Sequence, residues 1–129
     1  MLRGSCLCGA VRYQVADGFQ YAFNCHCGLC RRATGAACKP FAGIERAKLG
    51  LTQGEGDLLI YGGGDAHDAR CRHCGSLLYS LVRDGAFVHV TLGTLLDSPL
   101  IRPSAHIFVG SKAPWHDIAD TLPQYDQFP

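Results

Sequence analysis

Leu77-Leu78-Tyr79-Ser80-Leu81-Val82-Arg83-Asp84-Gly85-Ala86-Phe87-Val88-His89-Val90 holds two runs of strand length joined by a turn signal. The first run is nearly continuous in apolar residues, which suits a deeply buried strand. Phe87 to Val90 alternates, as a half-buried strand does. Arg83-Asp84-Gly85 between them predicts a hairpin joining strands at 77–82 and 86–92. Working outward, Val11 to Val15 alternates in the same way, while Leu58-Leu59-Ile60-Tyr61 and Ile107-Phe108-Val109 read as further buried strands. Gly62-Gly63-Gly64-Asp65 reads as a turn, and 16 glycines in 129 residues fit a fold of many tight turns. Helical signals are few. One short helix is expected from Leu29 to Thr34, stopped by Gly35, and another from Trp115 to Leu122, ended by Pro123, with Trp115 in the core. The tail from Pro123 to Pro129 reads as extended. The fold class is mainly β, with small antiparallel sheets and one or two short helices, in a single domain spanning 1–129.

Composition excludes several function classes. The chain is 47% hydrophobic and 18% charged, the balance of an ordinary globule. A net charge of +1 leaves no electrostatic footprint for nucleic acid or an anionic membrane. No apolar stretch approaches the roughly 20 residues that span a bilayer. The N-terminus lacks the apolar core of a secretory signal, so the expected address is cytoplasmic.

The outlying feature is eight cysteines, at Cys6, Cys8, Cys25, Cys27, Cys30, Cys38, Cys71 and Cys74. Four disulfides are one reading. Against it, a cytosolic chain keeps its thiols reduced, and seven of the eight fall in Cys-x-Cys or Cys-x-x-Cys pairs. Such pairs present two thiolates to one ion, so metal binding is the better reading. Cys6-x-Cys8 and Cys71-x-x-Cys74, each followed by glycine, supply four ligands for a closed, structural zinc that pins the N-terminal hairpin to the middle of the chain.

Cys25-His26-Cys27-Gly28-Leu29-Cys30 supplies three thiolates for a second ion and leaves tetrahedral zinc one position short, as in a catalytic site. Three thiolates make an electron-rich zinc that favours a fourth sulfur ligand over polarising a carbonyl. A thiol bound there loses its proton near neutral pH, so the site favours substrates with a free thiol, glutathione being the abundant one. Two residues compete for the fourth position. His26 is expected to point outward, since adjacent residues rarely bind one ion without strain. Cys38 either closes the site or lies buried and inert on a strand.

The same residues carry a resemblance. Gly4-Ser5-Cys6-Leu7-Cys8-Gly9-Ala10-Val11, then Cys25-His26-Cys27-Gly28-Leu29-Cys30-Arg31-Arg32-Ala33-Thr34-Gly35, then Cys71-Arg72-His73-Cys74-Gly75-Ser76 resemble, in order, the motifs of the glutathione-dependent formaldehyde-activating enzyme family, which also includes centromere protein V. Pro103-Ser104-Ala105-His106-Ile107 and Ser111-Lys112-Ala113-Pro114-Trp115 resemble its C-terminal part. The resemblance implies the β-tent fold, small antiparallel sheets meeting around zinc. It also implies two zinc ions: a structural one on Cys6, Cys8, Cys71 and Cys74, and an exchangeable one on Cys25, Cys27 and Cys30 at the active site. The implied activity is a carbon–sulfur lyase type, in which glutathione and formaldehyde give S-hydroxymethylglutathione.

Arg31 and Arg32 follow the three-cysteine cluster, either to meet the carboxylates of glutathione or as a solvated helix face. His106 is read as a structural histidine bonded to backbone, or else as a pocket-lining proton carrier. Lys112 is expected to anchor the C-terminal segment, and His67, His73, His89 and His116 have no partner the sequence identifies. Beside the enzyme stand two other readings. One is a non-catalytic zinc module that binds a protein partner; the other is a thiol redox sensor that releases zinc on oxidation.

Overall fold

In the computed structural model, which describes residues 1–129, ten strands form two sheets. The smaller has three strands in the order β1 (Leu2–Ser5), β2 (Arg12–Val15), β5 (Leu49–Gln53), all antiparallel. The larger has seven. Its order is β10 (His106–Ile107), β3 (Tyr21–Cys25), β4 (Lys39–Glu45), β9 (Phe87–Thr91), β8 (Leu77–Val82), β7 (His67–Cys71), β6 (Leu58–Gly62). Only the two-residue β10 runs parallel to its neighbour. The molecule is mainly β, as its short runs and many turns imply.

The register decides which face of the large sheet is covered. Ala42 pairs with Val90, and Ile44 with Val88, which pairs in turn with Leu81. Ile44, Val88, Val90 and Leu81 are all buried, and they join Leu2, Tyr13 and Val15 of the small sheet, with Val11 just before β2, in one core. Because side chains alternate across a strand, Tyr21, Phe23 and Cys25 of β3, and Lys39 and Phe41 of β4, fall on the opposite face. The hairpin over Arg83-Asp84-Gly85 forms as its sequence predicts.

The helix over Leu29 to Thr34 is observed as α1 (Gly28–Thr34), closed by Gly35 in the left-handed conformation at φ 66°. The second helix is not. Pro114–Trp115 is a turn, and the segment to Leu122 has no regular structure. Side chains take over the backbone partners a helix needs: Lys112 Nζ donates to the Ala113 and His116 carbonyls, and Asp120 accepts from the Leu122 amide. Lys112 thus anchors the segment as expected, whereas Trp115 is not core; it is 70% exposed. Leu58 to Tyr61 does form a strand, but on the sheet edge, paired only with β7, with Leu59, Ile60 and Tyr61 exposed. A continuous apolar run does not separate an edge strand from a central one. The strand expected over 107–109 ends at Ile107, because Phe108 takes a left-handed φ of 54°.

Candidate functional site

The first cysteine set is assembled by two turns that belong to different sheets. Cys6 and Cys8 lie between β1 and β2; Cys71 ends β7, and Cys74 sits in the turn before β8. Gly9 and Gly75, at φ 81° and 79°, let the chain reverse directly after each pair. The four sulfurs lie within 4.8 Å of one another, with Cys6 and Cys8, and Cys8 and Cys71, each 3.7 Å apart. A tetrahedron built on metal–sulfur bonds of about 2.3 Å has edges of about 3.8 Å, so this spacing is that of four thiolates around one ion, not of disulfides. All eight cysteines are free.

The four thiols are not alike: Cys6 and Cys74 are held low, whereas Cys8, despite the Ala10 amide, is pushed up to about 11 by desolvation and by the neighbouring cysteines. The Val11 and His73 amides donate to Cys6 and Cys71 sulfurs at 3.3 and 3.4 Å. A hydrogen bond from the Ser76 hydroxyl, aided by the Ser76 and Cys8 amides, holds the Cys74 thiol down at about 5. This group can hold a metal ion. It would also join the two sheets, since the 63-residue separation of Cys8 and Cys71 spans most of both.

Cys25, Cys27 and Cys30 lie at the junction of β3 and α1, where Cys27 is the residue before the helix. Their sulfurs do not form a comparable cluster. Cys25 is buried and the other two half-buried. The Cys30 side chain holds the Cys25 thiol below its ordinary range, against the opposing effect of burial. Cys30 is pushed up in turn by that interaction and by its own burial. Cys38 joins neither set; it is half-buried just before β4, its thiol raised by burial and then by Asp120.

His26 departs from its expected position. Its side chain is fully buried, and Nε2 lies 2.8 Å from Nδ1 of the buried His106, whose Nε2 lies 2.9 Å from Asp120. His106 is therefore bonded to side chains, not to backbone. The order of atoms fixes the tautomers when both rings are neutral. The Asp120 carboxylate only accepts, so His106 Nε2–H donates to it, His106 Nδ1 accepts, and His26 Nε2–H donates. Burial, followed by the charges of His106, His116, Lys112 and Arg31, lowers His26 to about 4 and keeps it neutral. Its Nδ1, buried and without a hydrogen-bond partner, is then a bare acceptor.

Sequence motifs gave no sign of three further residues beside this junction. Lys39 stands opposite Cys25 in the β3–β4 register, is only 6% exposed, and donates to Ser80 Oγ at 3.2 Å; Ser80 donates to Asp68 at 2.6 Å. These three sit on separate strands, and only the pairing brings them together. A buried lysine amid an apolar sequence was the one available signal. Arg70, partly buried on β7, is a fourth residue at this junction. Its guanidinium donates to the Ala33 carbonyl of α1 and to the Gly75 carbonyl at 3.1 Å, so it couples the two cysteine regions. Arg31 and Arg32 fold back over Gly28: a Cβ there would lie 3.3 Å from Arg32 Nη1 and 3.8 Å from Arg31 Nη2. Of the histidines left without partners, His73 pairs with Asp57 at 2.8 Å, His67 bonds the Gly63 and Gly64 carbonyls, and His89 bonds Tyr21 at 2.7 Å.

Residues 1–111 match the family model described as glutathione-dependent formaldehyde-activating enzyme. A protein of Halomonas elongata, provisionally named for that same activity, is 31% identical over 130 residues, covering 92% of this chain and 81% of its own. A crystal structure of a Rhodobacter sphaeroides protein superposes with a TM-score of 0.62 at 30% identity, over 76% of this chain and 91% of that one.

Proposed function

This chain belongs to the glutathione-dependent formaldehyde-activating enzyme family, and from that premise we propose that it is a zinc-dependent carbon–sulfur lyase-type enzyme. Its substrate is a thiol adduct of an aldehyde, with glutathione as the thiol and formaldehyde as the aldehyde the family is named for. The match over residues 1–111 carries the reading, because that span holds all eight cysteines of the chain. Cys6, Cys8, Cys71 and Cys74 would hold a structural zinc. Cys25, Cys27 and Cys30 would hold a second, which when bound supplies acidification of a coordinated thiol without destroying its nucleophilicity.

The chain's own residues provide the rest. Three thiolates on a divalent ion carry a net negative charge, and the buried Lys39 ammonium across the strand pair from Cys25 offsets it. Arg31, whose buried Nε has no partner, and Arg32 lie over the turn that carries the cysteines and would meet the glutathione carboxylates. The His26–His106–Asp120 chain fixes the turn between Cys25 and Cys27 from its buried side. Addition itself is balanced without a redox partner: the thiol sulfur bonds the carbonyl carbon, and the thiol proton ends on oxygen.

Titration calorimetry of reduced glutathione into the zinc-loaded protein, with Cys38→Ala in parallel, tests this. Saturable binding to the native protein is expected. Binding by neither protein would refute the glutathione reading, and binding by the variant alone would make Cys38 the fourth ligand. The exposed apolar residues Leu59, Ile60 and Tyr61 on the edge strand β6 favour a second reading, a zinc module that binds a protein partner. That reading predicts two bound zinc ions with no glutathione binding.

A further inference from the structure

The sheet face that carries Cys25 also carries a groove walled by rings. Phe41 pairs with Phe23, Gly43 with Tyr21, and His89 with Gly43, so all four side chains share one face. Gly43 makes the arrangement possible, because a Cβ there would lie 2.2 Å from the Tyr21 ring, which lies across the bare backbone. The ring then reaches His89, hydroxyl to Nε2 at 2.7 Å, while His89 stacks on Phe41 at 4.3 Å between centroids. A cavity of about 600 Å³ opens over these residues, with Arg83 and Phe128 at its edges. Volumes of roughly 300–1,000 Å³ hold small-molecule ligands, and a one-carbon aldehyde leaves such a space empty.

The groove lies beside the cysteine site, separated from it by the rings of its own wall. Phe41 packs in one cluster with Cys25, and Phe23, Cys27 and Cys30 pack against that cluster. Phe23 is one inward-facing position, about 7 Å, from Cys25 along β3. Lys39 Nζ lies 5.9 Å from the centre of the Phe41 ring. At the far end, the Arg83 guanidinium sits 4.5 Å from the Phe87 ring centre and 5.1 Å from that of Tyr21. Arg83 and the next residue, Asp84, both take left-handed φ values of 52° and 54°, a conformation side chains disfavour; it is this turn that returns Arg83 over the rings. The groove therefore offers stacking surfaces along its length, an end whose wall packs against Cys25, and one exposed cation, Arg83, among its lining residues.

We infer that this groove holds the carbon part of the substrate, and that the preferred aldehyde is an aromatic one bearing a carboxylate, stacked between the rings with its acid group toward Arg83. The inference rests on the thiol-adduct reading above. It extends the same addition to a hemithioacetal: one S–C bond forms, the carbonyl π pair becomes the O–H bond, and the thiol supplies the proton. No oxidant or reductant is needed.

The test uses the full zinc-loaded chain. Calorimetry with 4-(hydroxymethyl)benzoate, which cannot form a Schiff base, and with benzyl alcohol reports the groove alone; glutathione is titrated separately. The carboxylate probe should bind, Arg83→Gln should weaken it about tenfold while leaving benzyl alcohol unchanged, and Phe23→Ala should weaken both. With glutathione present, kcat/KM for 4-carboxybenzaldehyde should exceed that for formaldehyde. Glutathione binding without aromatic binding overturns the inference and spares the thiol reading. Aromatic binding without glutathione overturns the thiol reading and the adduct with it. An Arg83→Gln protein that binds the carboxylate probe as tightly as the native one removes the assigned role of Arg83 and overturns the preference for an acidic substrate.

Discussion

Cys8→Ser isolates the contribution of a metal at the four-cysteine site, because Cys8 is the exposed member of the set. An exposed side chain away from special features changes stability by no more than about 0.5 kcal/mol when replaced. A ligand whose loss releases the ion does far more. Cys8 and Cys71 are 63 residues apart, and reopening a loop of that length restores chain entropy worth about 4 kcal/mol when a metal clamp is treated like a disulfide. Structural zinc in small modules contributes about 10–16 kcal/mol, so the loop value is a lower bound. Urea unfolding is measured in a zinc buffer too weak to strip the native site but strong enough to strip a three-ligand one. With a slope of about 2 kcal/mol/M, the midpoint should fall by about 2 M in the variant. Strong chelator should bring the native protein to the same midpoint and leave the variant unchanged. A Cys8→Ser midpoint within about 0.3 M of native, with chelator inert on both, would refute the clamp.

Gly43→Ala places a methyl 2.2 Å from the Tyr21 ring. The ring has to leave, so a loss of about 1–3 kcal/mol and separation of the Tyr21–His89 pair are expected in thermal unfolding and in ring NMR shifts; a native-like variant would contradict the packing. His89 gives the pH dependence. Burial, with the charges of Lys39 and Arg83 behind it, lowers His89 to about 4, against 6.5 when unfolded. Between those values the unfolded chain binds the extra proton, so stability falls as pH falls, by about 2 kcal/mol from pH 8 to pH 5 for this one residue. NMR titration should show a neutral His89 ring at pH 5, and a ring half-protonated near pH 6.5 would defeat the argument.

The cysteine pairs, the hairpin at Arg83-Asp84-Gly85 and the helix after Cys27 could be read directly because each depends on neighbours in the chain. A Cys-x-x-Cys turn, a left-handed glycine and a short helix with its stop are set by local geometry. Pairing Cys6 and Cys8 with Cys71 and Cys74 also came from sequence, since each pair has two ligands and a tetrahedral ion wants four. What failed locally did so for one reason: burial belongs to the sheet, not to the run of residues. Leu58 to Tyr61 is as apolar as the central strand β8, yet lies on an edge, and Trp115 is exposed because side chains of Lys112 and Asp120 replace the helix bonds that would have carried it inward.

The pairings around the three-cysteine junction could not be read from the sequence. His26 and His106 are 80 residues apart, and Lys39 and Ser80 are 41 apart. Tyr21 meets His89 only because Gly43 leaves room on the strand between them. From composition and spacing alone come the cysteine pairs and most of the strands around them, since both are short-range patterns of residue type. Which side chains face those cysteines, and how wide a groove opens beside them, is decided by strand order and register, where a shift of one residue would turn a strand's rings to the other face.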